Sequence, residues 1–203
     1  VEKHADLLTQ LITNLLDIAR IESGRITMES RPVPLEELLA TVTESIRPQL
    51  DAKQIRYAVD QNGIQALRGD NQHLTRVFVN LLSNAIKFAG PGGSVRLAAY
   101  VEDGSAVILV ADDGAGIDPS VIRAKAIEKG VIDRESAARL DAQECLDLIF
   151  RPGFSTRDAV SEVSGRGVGM DVVKRSIQAL GGRISITSRP GQGSTFTMSL
   201  PLT

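Results

Sequence analysis

Three short runs of this chain carry residue types suited to holding a polyphosphate at one end and a base at the other. In residues 80–88, Asn80, Ser83, Asn84 and Lys87 recur at helical spacing, so two side-chain amides and an ammonium share one stripe with Arg76 a turn earlier. Asp112 follows an apolar run, 107–110, and stands just before Asp113, Gly114 and Gly116. Gly165, Arg166, Gly167, Val168 and Gly169 form a glycine-rich loop that opens a helical pattern. Each run offers a distinct chemistry. A neutral amide oxygen can complete the octahedral shell of Mg2+ that phosphates and water otherwise fill, and Lys87 can supply a point charge to phosphate oxygens. A carboxylate leaving an apolar strand is costly unless hydrogen-bonded, and it repels phosphate. Asp112 therefore suits the base, accepting from an exocyclic amino group, with Asp113 as its solvated neighbour. In the loop, small residues let backbone N–H groups approach an anion at a helix N-terminus. The order and spacing of the three runs predict a site for a nucleoside triphosphate with Mg2+.

The intervening sequence has to bring these runs together. Asp70 reads as the N-cap of a helix to about residue 89, with Phe78, Leu81, Leu82, Ala85 and Ile86 on its apolar side; Gly90-Pro91-Gly92-Gly93 breaks it. Strands at 94–101 and 106–111 flank Asp103-Gly104, a hairpin signal. Further helices are expected at 35–52 (kinked or divided at Pro48), 121–129, 142–149 and 169–180, the last ending at Gly181-Gly182. Short strands are expected at 25–29, 55–59 and 65–68, and a closing hairpin at 183–188 and 194–200. Hairpins alternating with helices argue an α+β sandwich, one mixed sheet with helices on one face. Residues 1–24 read as a separate amphipathic helix: Leu8, Leu11, Leu15 and Ile18 make a coiled-coil-like seam, and Gly24 ends it. The remainder, 25–203, reads as one domain with a lid-like stretch at about 118–164.

Composition narrows the classes. A chain of 203 residues with 42% hydrophobic and 24% charged residues can bury one good core, and a net charge of −2 with scattered Lys and Arg suggests neither a nucleic-acid nor a membrane surface. No apolar stretch approaches the ~18 residues of a bilayer span. The single cysteine, Cys145, permits a reducing, cytoplasmic setting and reads as a small buried apolar residue. The glycine loop fits neither a dinucleotide fingerprint, since it follows a long lid rather than a first strand, nor a P-loop, since no Gly-Lys-Ser/Thr occurs.

With these residues in view, the chain resembles the Bergerat ATP-binding fold shared by histidine kinases, gyrase and MutL. Residues 80–88 resemble that family's asparagine box, 112–116 and 165–169 its glycine boxes, 150–156 its phenylalanine box, and Gly193-Ser194-Thr195-Phe196 its closing threonine motif. The resemblance implies ATP and Mg2+ as ligands, with Asn84 on the metal, Lys87 on phosphate, and Asp112 with Thr195 at adenine. Asn84 and Lys87 are the implied catalytic pair. Asn80, Gly114, Gly116, Gly165, Arg166, Gly167, Val168 and Gly169 complete the implied site. Within that superfamily the chain resembles the catalytic region of a two-component histidine kinase. The hydrolases carry a glutamate where this chain has Asn80, and an amide cannot take a proton from water. Residues 15–24 are similar to the end of the second helix of a kinase dimerisation hairpin, which implies a homodimer through the N-terminal helix. The resemblance further implies a phosphoacceptor histidine domain and a response regulator as partners. Neither His4 nor His73 sits in the family's phosphoacceptor pattern. The stretch from Ala124 to Lys174 resembles the chemotaxis kinase and its long lid, whereas the asparagine box resembles an ordinary sensor kinase. A hydrolytic clamp of the gyrase or MutL type and a non-catalytic nucleotide-binding scaffold are the alternatives.

Overall fold

The structure is a computed structural model that describes residues 30–152, 154 and 169–202. In chain order its elements are β1 (Arg31–Pro34), α1 (Leu35–Lys53), β2 (Arg56–Gln61), β3 (Ala66–Gly69), α2 (Asn71–Phe88), β4 (Ser94–Glu102) and β5 (Ser105–Asp112). Next come α3 (Pro119–Glu128), α4 (Arg134–Arg139), α5 (Ala142–Asp147), a 3-10 turn (Leu148–Phe150), α6 (Met170–Ala179), β6 (Arg183–Ser188) and β7 (Ser194–Pro201). Five strands form one sheet in the order β2-β4-β5-β7-β6; β1 and β3 form a small antiparallel sheet of their own. β2 runs parallel to β4 and every other pairing in the large sheet is antiparallel. The expected mixed-sheet sandwich is therefore the observed architecture.

Alternation along the strands decides which face meets the helices. Ala106, Ile108 and Val110 on β5 pair with Leu200, Met198 and Phe196 on β7, and all six are buried. Against that face lie Val42, Ile46 and Leu50 of α1, Phe78, Leu81, Leu82 and Ile86 of α2, and Val173 and Ile177 of α6, in one continuous core.

α2 is held at both ends. Asp70 adopts an extended conformation and its carboxylate accepts from the His73 N–H at 3.0 Å. At the other end Lys53, the last residue of α1, donates through Nζ to the carbonyls of Ile86, Lys87 and Ala89 at 2.9, 2.7 and 3.0 Å. A cation on the last-turn carbonyls both satisfies them and matches the helix dipole. Lys53→Met should cost about 1–2 kcal/mol. A lowered urea midpoint with an unchanged m-value would register that loss; an unchanged midpoint would deny the cap any role.

Several expectations need correction. α1 is not divided at Pro48: one helix runs from Leu35 to Lys53, with buried Ile46 and Leu50 on either side of the proline. The helix begins at Leu35 directly after Pro34, its N-cap, and the residues before it, Arg31–Pro34, also pair with β3 as a strand that was not expected. The lid-like stretch contains a helix that was not expected, α4, capped by Asp133 whose side chain accepts from the Ser136 N–H. The expected helix at 142–149 ends as a 3-10 turn. Cys145 is fully buried, and Arg123 Nε donates to its sulfur at 3.3 Å. The strand expected at 25–29, the helix expected at 1–24, the glycines at 165 and 167, Arg166, Val168 and His4 lie outside the described residues. Among the described residues no helix is long and apolar enough to cross a membrane.

Candidate functional site

Two contacts tie α2 to the Asp112 turn and to the start of α6. The first joins α2 to the Asp112 turn. Gly114 lies so close to the end of α2 that a Cβ there would run into the Phe88 carbonyl. Its N–H meanwhile donates to Asp112 Oδ1 at 2.9 Å. The second joins α2 to the start of α6, where Asn84 Nδ2 donates to Met170 Sδ at 3.3 Å. The stripe, the carboxylate turn and the N-terminus of α6 thus border one region.

On α2 the division of faces is as expected on the apolar side, where Phe78, Leu81, Leu82, Ala85 and Ile86 are buried. Asn80 is buried too, while Arg76, Ser83, Asn84 and Lys87 are half-buried. With the Asn84 amide nitrogen committed to Met170, its carbonyl oxygen is left as the acceptor. Lys87 Nζ sits 4.9 Å from the ring centre of Phe88, which is itself exposed. Gly169 caps α6 in an extended conformation without any side-chain bond to the first turn, and Asp171 in that turn pairs with Arg175 at 3.0 Å. The first-turn N–H groups of α6 therefore receive no side-chain cap from Gly169.

Asp112 ends β5 and is buried, as are Asn80, Ser176 and Ser194 among the polar residues described. Burial pushes its carboxyl above the usual carboxylate range and the neighbouring Asp113 charge adds to that, while N–H groups of Gly114 and Ser194 offset part of it. Asp113 is exposed, as expected, but it is also fastened: it accepts from the Ser94 N–H at 2.9 Å and the Ser94 hydroxyl at 2.7 Å, which holds it below the usual carboxylate range.

The closing motif requires a correction. Thr195 pairs with Ala111 and so lies on the opposite face of the sheet from Asp112, whereas Ser194 pairs with Asp112 itself. Side chains directly opposite in an antiparallel ladder share a face, and a shift of one residue reverses it. The buried hydroxyl beside Asp112 therefore belongs to Ser194. Gly193, just before it, has φ +79° and lies against the Asp112 backbone, where a Cβ would run into the Asp112 carbonyl. Gly116 packs against the Arg189 carbonyl, and the Gly191 N–H donates to the Ala115 carbonyl at 2.7 Å. The Asp112 turn is thereby fixed to the β6–β7 hairpin. Lys53 and Ser188 support this region and were not singled out in the sequence; Gly193 and Ser194 stood inside the quoted motif 193–196, but the role there was given to Thr195. The signal that favours Ser194 over Thr195 is the period-two alternation with buried Phe196 and Met198.

Two clefts of ligand size lie elsewhere. One, of about 670 Å³, runs between α1 and the β2 edge and is lined by Leu39, Thr43, Arg47 and Val59 among others. The other, of about 720 Å³, lies between the lid helices and α6, lined by residues that include Ile132, Glu144, Arg151 and Lys174. Neither contains Asn84, Asp112 or Ser194. Among the described residues no group of three or more His, Cys, Asp or Glu could by itself hold a metal; the Asn84 oxygen suits a cation that arrives with its own oxygen ligands.

Comparison with known proteins follows the same lines. The family described as histidine kinase-, DNA gyrase B- and HSP90-like ATPase matches residues 69–203. The chemotaxis protein CheA of Rhizobium meliloti is 40% identical over 196 residues, 90% of this chain and 26% of that protein. The chain thus spans about a quarter of the length of that relative. The structure of full-length ShkA in complex with AMPPNP superposes with a TM-score of 0.72 at 27% identity, covering 98% of this chain and 36% of ShkA. The catalytic domain of the histidine kinase ThkA superposes at 0.64 with 20% identity, covering 87% of this chain and 99% of that domain, a likeness of fold.

Proposed function

Given that this chain belongs to the histidine kinase-, DNA gyrase B- and HSP90-like ATPase family, we propose that it is the ATP-binding catalytic region of a two-component histidine kinase. It binds Mg·ATP and passes the γ-phosphoryl group to a histidine on a phosphoacceptor domain, from which a response regulator takes it. The observation that carries the reading is the meeting of α2 with the Asp112 turn and with the start of α6, through Gly114 against Phe88 and Asn84 against Met170. Adenine lies with its amino group toward Asp112, and Ser194 takes the place expected of Thr195. Lys87 draws the phosphates toward α2, and the glycine loop 165–169 with the first-turn amides of α6 receives them. Asn84 would hold a magnesium ion carried in with the phosphates, which supplies neutralisation of their charge. An imidazole nitrogen then forms the new N–P bond as the bond to the bridging oxygen breaks and ADP leaves. The chain's own contribution is position and charge.

Asn80 favours transfer over hydrolysis, because a buried amide offers water no base. Residues 1–24 support a homodimer in the intact protein, and a cytoplasmic setting suits the composition. Incubating the chain with γ-labelled ATP and a separately supplied phosphoacceptor domain should label that domain. Steady phosphate release with no acceptor present, abolished in Asn84→Ala, would replace the kinase by a hydrolytic clamp. Absence of ATP binding at millimolar Mg2+ would leave only a scaffold.

Asp112 gives the site a pH signature. Its ionised form accepts from the amino group, and its pKa is raised. As pH is lowered, affinity for ATP should therefore start to fall above the usual carboxylate range. In Asp112→Asn affinity should be weaker by about 1–3 kcal/mol at neutral pH and flat across that window. Calorimetry over a pH series reads both; parallel curves for the two proteins would remove Asp112 from the base end.

A further inference from the structure

Ser188, the last residue of β6, is half-buried and meets three neighbours. Its Oγ accepts from the Ile117 N–H at 2.8 Å, donates to the Gly193 carbonyl at 2.9 Å, and lies 3.0 Å from Ser194 Oγ. A carbonyl oxygen carries no hydrogen, so the one hydroxyl proton of Ser188 has to lie in the bond to Gly193. The close approach of the two serine oxygens then requires the proton of Ser194. Ser188 spends both lone pairs, on Ile117 and on Ser194, and Ser194 spends its only proton on Ser188. Toward Asp112, its partner across the ladder, Ser194 can turn lone pairs alone. An ionised Asp112 has no proton to offer either.

We infer that Ser188 is a positioning residue that sets base specificity: by fixing the polarity of the Ser194 hydroxyl it makes the base end of the site acceptor-only, which selects a 6-amino purine over a 6-oxo purine. The inference rests on the nucleotide reading above and deepens it. Adenine presents an amino group to two acceptors, whereas guanine presents a carbonyl oxygen that faces two oxygens with no hydrogen between them. With Ser188 gone, the Ser194 hydroxyl can rotate and donate to that carbonyl.

The test is the ratio of affinities for Mg·ATP and Mg·GTP, measured by calorimetry on the full 203-residue chain, on Ser188→Ala and on Ser188→Thr. Ser188→Ala also strips a partner from Ile117 and Gly193, which weakens both nucleotides alike; the ratio cancels that common loss. The expected result is a fall of about tenfold in the ATP preference of Ser188→Ala, with the preference restored in Ser188→Thr, which keeps the hydroxyl. A parallel loss for both nucleotides, with the ratio unchanged, would overturn the inference and leave ATP binding standing. Failure of the unsubstituted chain to bind ATP would overturn the nucleotide reading itself and this inference with it.

Discussion

Asn84→Ala should lose phosphoryl transfer to a supplied acceptor by on the order of a hundredfold or more, and should weaken Mg·ATP severalfold. Two losses coincide in that variant. The oxygen that completes the cation's shell disappears, and so does the hydrogen bond from Nδ2 to Met170 that ties α2 to the start of α6. They can be separated. Asn84→Asp keeps an oxygen for the cation but has no N–H for Met170, so it should retain more Mg2+-dependent affinity than Asn84→Ala while sharing any loosening of α6. Neither variant should change the melting temperature much, because Asn84 is half-buried and its contact with Met170 is a weak one. Equal transfer by Asn84→Ala and the unsubstituted chain, measured at saturating ATP, would take Asn84 out of the mechanism.

The largest effect on stability is expected at Gly193. Its φ of +79° is costly for any side chain, and a Cβ would collide with the Asp112 carbonyl, a backbone atom that no rotamer change can move. Gly193→Ala should therefore cost about 3 kcal/mol or more and displace Asp112 and Ser194 together, abolishing nucleotide binding even where the chain still folds. Gly90→Ala is the matched comparison, since a Cβ there meets nothing within 4 Å and its φ is not positive. That variant should unfold within about 0.5 kcal/mol of the unsubstituted chain. Similar urea midpoints for the two would mean that the β6–β7 hairpin does not press on the Asp112 turn in solution.

What could be read in advance depended on the range over which the physics acts. α2 was legible because its cap, its apolar stripe and its terminating glycines are local. The β4–β5 hairpin was legible for the same reason: Asp103 and Gly104 both adopt positive φ, +48° and +72°, as a two-residue turn of that kind requires. Asp112 stood out as a charge at the end of an apolar strand. Lys53 was invisible, because nothing near it in sequence says that its ammonium will close a helix more than thirty residues away. β1 was missed because prolines at 32 and 34 look like the approach to a helix, whereas an edge pairing with β3 tolerates them. Thr195 was assigned by resemblance to a motif, but strand parity puts its neighbour Ser194 on the same face as Asp112. Ser188 was beyond reach for a similar reason: its partners come from two other segments, Ile117 and the adjacent Gly193 and Ser194.

In the proposed complex an adenine nucleotide lies between α2 and the N-terminus of α6 with its base at Asp112. Amide chemical shifts of the isotopically labelled chain, followed while Mg·ATP is added, address it most directly. Saturable shifts are expected at Asn84, Lys87, Gly114, Gly116, Gly169 and Ser194, with little change at Leu39, Thr43 and Val59 in the α1–β2 cleft or at Ile132 and Glu144 in the lid cleft. Shifts confined to either cleft, with Asn84, Gly114 and Ser194 unmoved at saturation, would contradict it.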